Sequence, residues 1–367
     1  MHRRQQEPPA PDEIEISLLG PGFGECLVVH LGAGDWMVVD SCINSRTRRP
    51  AASEYLESIG VRTFEAVKLL VVTHWHNDHM RGASDVLREA KSAELFCSAA
   101  LDIPEFYELV AASSSESSLS GQVPEFAEMF KILEERHSGA RPGTFGPEWV
   151  MEDRRIYHRT FGSGPTCSVY ALSPSSATMN IAHLELAPFL PEYKKPVRRP
   201  VGITPNRLAV VLWVEFADTS VLLGSDLEES GNATMGWQAI VGSRRRPSTK
   251  ARSFKVPHHG SENAHNDAVW ADLLVRDPIA LIAPYAAGPT PRPSSHDILR
   301  IKSKTQNVYC TAPPTGFRPP RRENAVQRLV GDRLRAVTGP MGQIRLRWRS
   351  SVDVPEKPEL FATAHRL

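Results

Sequence analysis

The sequence predicts a soluble α/β domain, and three observations carry that expectation. Short apolar runs rich in β-branched residues recur along the chain between Gly and Asp turns, and segments of helical spacing separate many of them. The 367 residues are 41% hydrophobic and 23% charged, enough to bury a core of their own. No run reaches the roughly 18 apolar residues that a membrane span needs. The best run, Val67–Val72, contains Lys68 and is strand-sized.

In chain order, IEISLLG, ECLVVHLG and DWMVVDS read as strands joined by tight turns at 20–24 and 32–35. Residues 52–59 read as a short helix and 66–72 as a buried strand running straight into a histidine cluster. Helical spacing over 82–92 and a strand at LFCSA follow. The pattern changes over 101–160. A Ser-rich loop at 113–120, helical spacing over 125–137 and a Gly/Pro stretch at 142–147 predict an inserted, partly mobile segment. Strands return at CSVYALSP, LAVVLWVEFA, TSVLLGSD and SFKVPHHGS, then a helix over 266–275, strand IALIAPY, a helix over 295–304, and strands NVYCT and QIRLRWR. Residues 1–12 are expected to be disordered, 13–348 to form one domain, and 349–367 to be a polar, unanchored tail.

Composition also narrows compartment and partners. Residues 1–12 are basic but lead into no apolar stretch of signal-peptide length, so a cytoplasmic protein with no membrane association is expected. The five cysteines, Cys26, Cys42, Cys97, Cys167 and Cys310, are odd in number and widely spaced, the pattern of reduced core thiols. Lys plus Arg number 43 against 42 Asp plus Glu, which excludes a global field drawing in a polyanion. Basic charge is concentrated locally instead, at 46–49, 194–199, 244–252 and 318–322. Runs near the segments leading to Asn206 and His258 are expected to rim the site.

The chemistry concentrates in THWHNDHMRG, where His74, His76, Asp78 and His79 follow a buried strand. Alternation along an extended segment lets His74 and His76 point the same way, and Asp78 and His79 can turn back across a helix start. Imidazole and carboxylate together suit Zn²⁺ or Mn²⁺, and so many ionisable groups in one place are costly without a cation.

This HxHxDH run resembles the metallo-β-lactamase superfamily, and further checkpoints of that superfamily occur in order. Asp40 ends DWMVVD, Asp226 lies in VLLGSDLEES and His258 in KVPHHGSENA. The resemblance implies a four-layer αββα sandwich of two mixed sheets with a two-metal site along one edge. On that pattern His74 and His76 hold one metal, Asp78, His79 and His258 the other, Asp226 bridges, and Asp40 supports the loop. Either histidine of the pair could be the ligand, with His258 favoured and His259 left to support the site or contact substrate. Where many members carry another histidine this chain has Asn206, with His183 as the alternative. PNRLAVVLWVEF, LLGSDLEES and FKVPHHGSENA resemble the nuclease-like domain of competence-type (ComEC-like) DNA-uptake proteins, in a form without their membrane channel.

The implied function is hydrolysis by water activated between two divalent cations, Zn²⁺ or Mn²⁺, on a phosphodiester of DNA or RNA. Asp78 would orient the water or take its proton, while Lys255, His259 or Arg292 would neutralise phosphate charge. Protein partners in a DNA-processing or defence module would suit such a nuclease. The same fold also hydrolyses small esters, lactones or thioesters, and a third reading is an inactive scaffold or sensor.

Overall fold

The structure is a computed structural model that describes residues 6–21, 24–102, 106, 122–136, 146–186, 205–286, 291–314, 340–350 and 357–367. The first sheet is built from β1 (Glu13–Gly20), β2 (Cys26–Gly32), β3 (Asp35–Val39), β4 (Val67–Val72), β5 (Glu94–Ser98) and β6 (Glu148–Val150). The second opens with β7 (Arg154–Thr160), β8 (Thr166–Ala171), β9 (Leu212–Phe216) and β10 (Thr219–Leu223). It continues with β11 (Ala251–Lys255), β12 (Leu274–Ile282) and β13 (Val308–Cys310). Late in the chain, β14 (Gly342–Arg349) and β15 (Glu359–Phe361) return to the first sheet and β16 (His365–Arg366) to the second. The strand orders are β15-β14-β1-β2-β3-β4-β5-β6 and β16-β13-β12-β11-β10-β9-β8-β7. Both sheets are mixed: β3 to β6 and β10 to β13 run parallel, and the flanking pairs are antiparallel.

The helices are α1 (Ala51–Ser58), α2 (Thr63–Ala66), α3 (Asn77–Met80), α4 (Ala83–Glu89), α5 (Gln122–Arg136), α6 (Ser176–Leu186), α7 (Gly236–Gly242) and α8 (Ser295–Lys302). The layering follows from side-chain alternation. In β4, Leu69 and Val71 face the other sheet and share a core cluster with its Val214, Leu223 and Leu281, while Leu70 and Val72 join the cluster of α1, α4 and α5. On the far side Trp213, Leu222 and Phe254 pack against Trp237 of α7 and Ile301 of α8. The result is the four-layer αββα sandwich of the metallo-β-lactamase fold. A side chain the size of Leu or Val buried this way contributes roughly 1.5–3 kcal/mol, so the inter-sheet layer is a dominant stabilising term.

Four expectations are corrected. The described parts of 101–160 are integral: Phe126, Met129, Ile132 and Leu133 of α5 join the core, and β6 and β7 complete the two sheets. Helix α5 also supplies both ends of α4. Glu125 accepts from the Ser84 N–H and hydroxyl (2.9 Å each), and Arg136 donates to the Ala93 and Ala90 carbonyls (2.8 and 2.9 Å). The polar tail is anchored, because apolar content does not decide whether a strand can add to a sheet edge: residues 357–367 contribute β15 and β16. Near the start, the Ala33 N–H donates to the Pro11 carbonyl (2.8 Å) and Arg347 to that of Glu7 (2.7 Å), so residues 6–12 are tied down. The helix expected over 266–275 is a single π-helical turn, Val269–Leu273. The Ser-rich loop at 113–120, most of the Gly/Pro stretch at 142–147, and the basic runs at 194–199 and 318–322 lie outside the described residues.

Candidate metal centre

Parallel strands end at one edge of the sandwich, and there the backbone leaves the ladders and side chains can converge. Asp40 follows β3, His74 follows β4, Asp226 follows β10, and the His258–His259 pair follows β11. Strand β2 runs antiparallel to β3, with Leu27 opposite Val39, which brings Glu25 to the same edge.

Three groups of candidate ligands form among the described residues, and Asp226 belongs to two of them. Asp78, His79, Asp226 and His259 make one, His74, His76 and Asp226 another, and Asp40, His74 and His79 the third; the ligand atoms within each lie within 4.8 Å of one another. The Asp226 Oδ2 atom lies 3.3 Å from Nε2 of His79, 3.3 Å from Nε2 of His259 and 4.0 Å from Nε2 of His74. His74, His79, Asp226 and His259 are buried, whereas His76 and Asp78 are half-buried and form the open side.

Supporting bonds set which imidazole nitrogen faces inward. Asp40 accepts from the Thr73 N–H (2.8 Å), the Thr73 hydroxyl (2.8 Å) and His79 Nδ1 (2.7 Å), leaving His79 Nε2 to the pocket. Asp40 adopts φ +60°, a left-handed turn that Asp tolerates better than most residues. His259 Nδ1 donates to the Ala283 carbonyl (2.9 Å), which directs its Nε2 toward Asp78 and Asp226, and Tyr285 stacks on its ring at 5.2 Å. Gly24 lets β2 approach the loop: at φ +82° a Cβ there would sit 3.0 Å from the Asp78 carbonyl oxygen.

The residues fit divalent cations. His74 Nε2 and His79 Nε2 are buried and make no hydrogen bond, an arrangement that is costly unless a ligand engages them. Glu25, Asp40, Asp78 and Asp226 place four carboxylates around His79, with the Lys255 ammonium beside two of them, Glu25 and Asp226, so with neutral imidazoles the pocket is strongly negative. Burial would push the His79 and His259 imidazoliums down. The surrounding carboxylates, Asp226 foremost, overcome that and hold both well above the usual range. Burial would raise Asp226, but His259 and His79 keep it well below the ordinary carboxylate range.

The arrangement corrects two expected roles. His259, not His258, joins the ligand group. Both residues have positive φ, +48° and +55°, and that turn sends consecutive side chains to different places. His258 instead donates from Nδ1 to Asn263 Oδ1 (2.9 Å) and accepts at Nε2 from Arg292 Nη1 (2.6 Å). Burial and then Arg292 hold it below the usual imidazole range, against the pull of Asp226. Lys255 is fully buried behind Asp226 and faces no substrate space, so it cannot neutralise a phosphate. It donates to the Ser225 carbonyl (2.8 Å) and ion-pairs with Glu25.

The other candidates are dispersed. Asn206 Nδ2 donates to Glu228 Oε1 (3.0 Å) and approaches His258 Nε2 (3.1 Å), while its Oδ1 is buried without a hydrogen bond. His183 lies on α6, outside all three ligand groups, its Nε2 buried without a hydrogen bond. The basic run 244–252 leads into the first two residues of β11 and so sits at the opposite end of that strand from the site. Strand direction, which spacing does not reveal, removes it from the rim. The 46–49 run is at the site's end of β3, with Arg46 and Arg48 exposed. Glu25 and Tyr285 were absent from the sequence-derived set: an acid at a strand start and a tyrosine at a strand end carry no motif.

The family model of the metallo-beta-lactamase superfamily matches residues 19–149, a span that contains Glu25, Asp40 and the whole histidine loop. Over that span the chain is similar to a superfamily whose members are mostly metal-dependent hydrolases that usually bind zinc, and the two-sheet sandwich is consistent with that likeness. No curated protein matches the chain by sequence. Among solved structures, a Cronobacter sakazakii metallo-beta-lactamase, the HARLDQ motif mutant S60, is 12% identical (TM-score 0.33) over 68% of this chain and 78% of its own. The metallo-beta-lactamase SMB-1 bound to 2-mercaptoethanesulfonate is 11% identical (TM-score 0.33; 70% and 82% covered). The short form of human tRNase Z, ELAC1, is 10% identical (TM-score 0.30; 65% and 76%). No helix among the described residues is long and apolar enough to cross a membrane.

Proposed function

We propose that the protein is a divalent-metal-dependent phosphodiesterase, a nuclease acting on DNA or RNA in a DNA-processing or defence module. The observation that carries this reading is Asp226: one buried carboxylate belongs to two of the three ligand groups, and an oxygen donor at that position would suit hard divalent cations. His74, His76 and Asp226 would hold one Zn²⁺ or Mn²⁺, and Asp78, His79, Asp226 and His259 the other. Divalent cations so held supply Lewis acidity toward a phosphoryl oxygen and a more acidic water.

The chain's own groups complete the arrangement. Asp78 sits on the open side with Oδ2 3.1 Å from His259 Nε2, placed to accept a proton from an attacking water. Arg292 commits Nη1 to His258 and offers the rest of its fork to a phosphate oxygen. Arg81, directly after α3, is exposed, as are Arg46 and Arg48. The loop over 43–50 packs toward Gly82 through Ile43, so these cations are placed to track a polyanionic backbone.

The test is turnover of DNA, RNA, bis-p-nitrophenyl phosphate and a lactone panel by protein of measured metal content, beside Asp226→Asn and Arg292→Ala. Asp226→Asn is expected to lose metal and activity together. Arg292→Ala is expected to keep its metal and lose about 10²–10³-fold in kcat/KM on phosphodiesters. Phosphodiester cleavage surviving Asp226→Asn would sink the proposed site. Turnover of lactones alone would replace the phosphodiesterase with an ester hydrolase, and full loading without turnover would make the protein a scaffold or sensor.

A further inference from the structure

Glu25 and Lys255 lie behind the ligand groups, where no substrate reaches, and they join the two sheets. Glu25 stands at the entry of β2 and Lys255 at the exit of β11, with 1% and 0% of their surfaces exposed. Lys255 Nζ donates to the Ser225 carbonyl (2.8 Å), ion-pairs with Glu25 Oε1, and lies 3.5 Å from Asp226 Oδ1. Glu25 donates its backbone N–H to the Asp78 carbonyl (2.9 Å), and its Oε2 lies 3.5 Å from His259 Nδ1.

An ion pair this deeply buried is a poor source of stability, since desolvating both charges offsets most of their attraction and apolar replacements are often neutral or better. Its geometric effect is more specific. The two oxygens of Asp226 face opposite ways: Oδ1 toward the Lys255 ammonium, Oδ2 toward Nε2 of His79 and His259 at 3.3 Å each. A carboxylate rotated away from this setting would present its oxygens to neither histidine group. We propose that Lys255, held in place by Glu25, is a positioning residue that fixes the rotation of Asp226 and thereby sets the affinity of the centre for divalent metal. This rests on reading the cluster as a metal site.

The experiment titrates metal-stripped protein with Mn²⁺ and separately with Zn²⁺ by calorimetry, with metal counted independently after dialysis and urea denaturation run in parallel. The charge-neutral pair variant, Glu25→Gln with Lys255→Met, should unfold near the wild-type midpoint yet bind metal about 10- to 100-fold more weakly, the range typical of groups that orient ligands. Glu25→Asp keeps the charge but withdraws it from Lys255, and should weaken binding in the same direction with little change in stability. Wild-type affinity and stoichiometry in the double variant would overturn the inference. Should the double variant not fold, unchanged affinity in Glu25→Asp would overturn it equally. Failure of the metal-centre reading is distinguishable, because the wild-type protein itself would then take up no metal.

Discussion

His30 makes the stability of this protein depend on pH in a window where its activity would be assayed. The imidazole is 2% exposed, and both ring nitrogens are engaged: Nδ1 donates to the Glu13 carbonyl (2.7 Å) and Nε2 accepts the Gly34 N–H (3.0 Å). A proton on Nε2 would confront that N–H, and burial, the largest cause, lowers the pKa from 6.5 to about 4. The unfolded chain therefore binds the proton between pH 6.5 and 4 while the folded chain does not. The contribution is fully present above the unfolded value and declines as pH falls toward the folded one. At pH 5, 1.5 units below the unfolded value, the loss is about 2 kcal/mol, at 1.36 kcal/mol per unit. His30→Gln cannot titrate there. Its stability deficit relative to wild type should therefore shrink by about 2 kcal/mol between pH 7.5 and pH 5. Urea denaturation at the two pH values measures this, followed by tryptophan fluorescence, to which Trp36, 4.8 Å from the His30 ring, contributes. A deficit that stays constant with pH refutes the argument. Until that control is run, an acid limb in a pH–rate profile reports unfolding as well as catalytic titration.

Two further perturbations address the metal loop. Asp40→Asn keeps the shape but removes the charge that accepts from Thr73 and His79, and it should lower divalent-metal affinity about 10- to 100-fold, read by calorimetry with Mn²⁺. Unchanged affinity would show that His79 is oriented without it. Gly24→Ala combines a φ of +82° with a Cβ 3.0 Å from the Asp78 carbonyl oxygen, and should destabilise the fold by about 1–3 kcal/mol in urea denaturation. Wild-type stability in that variant would mean that β2 and the loop can separate freely.

The strands and the histidine loop were legible because local pattern decides them. VKLLVV is buried on both faces between parallel neighbours, and HWHNDH follows it directly, so a buried strand delivering ligands needed no tertiary knowledge. What escaped depends on conformation or on distant chain. His258 and His259 differ by one position, and only their positive φ values decide which enters the cluster. Lys255 read as a cation facing a phosphate because nothing local announces that Glu25, from the other sheet, will bury with it. The helix over Gln122–Arg136 looked like part of an insertion because its purpose, supplying partners to both ends of α4, lies about 40 residues upstream.

Residues 357–367 do more than finish the sheets. Within this stretch β15 closes one margin of the first sheet against β14 and β16 closes one margin of the second against β13, while Thr363, between them, donates to the Thr311 carbonyl (2.9 Å). The segment acts as a clasp over two open hydrogen-bonding margins that would otherwise template association with other chains. Removing it would expose β14 and β13 together, so a shortened chain should self-associate rather than merely lose a tail.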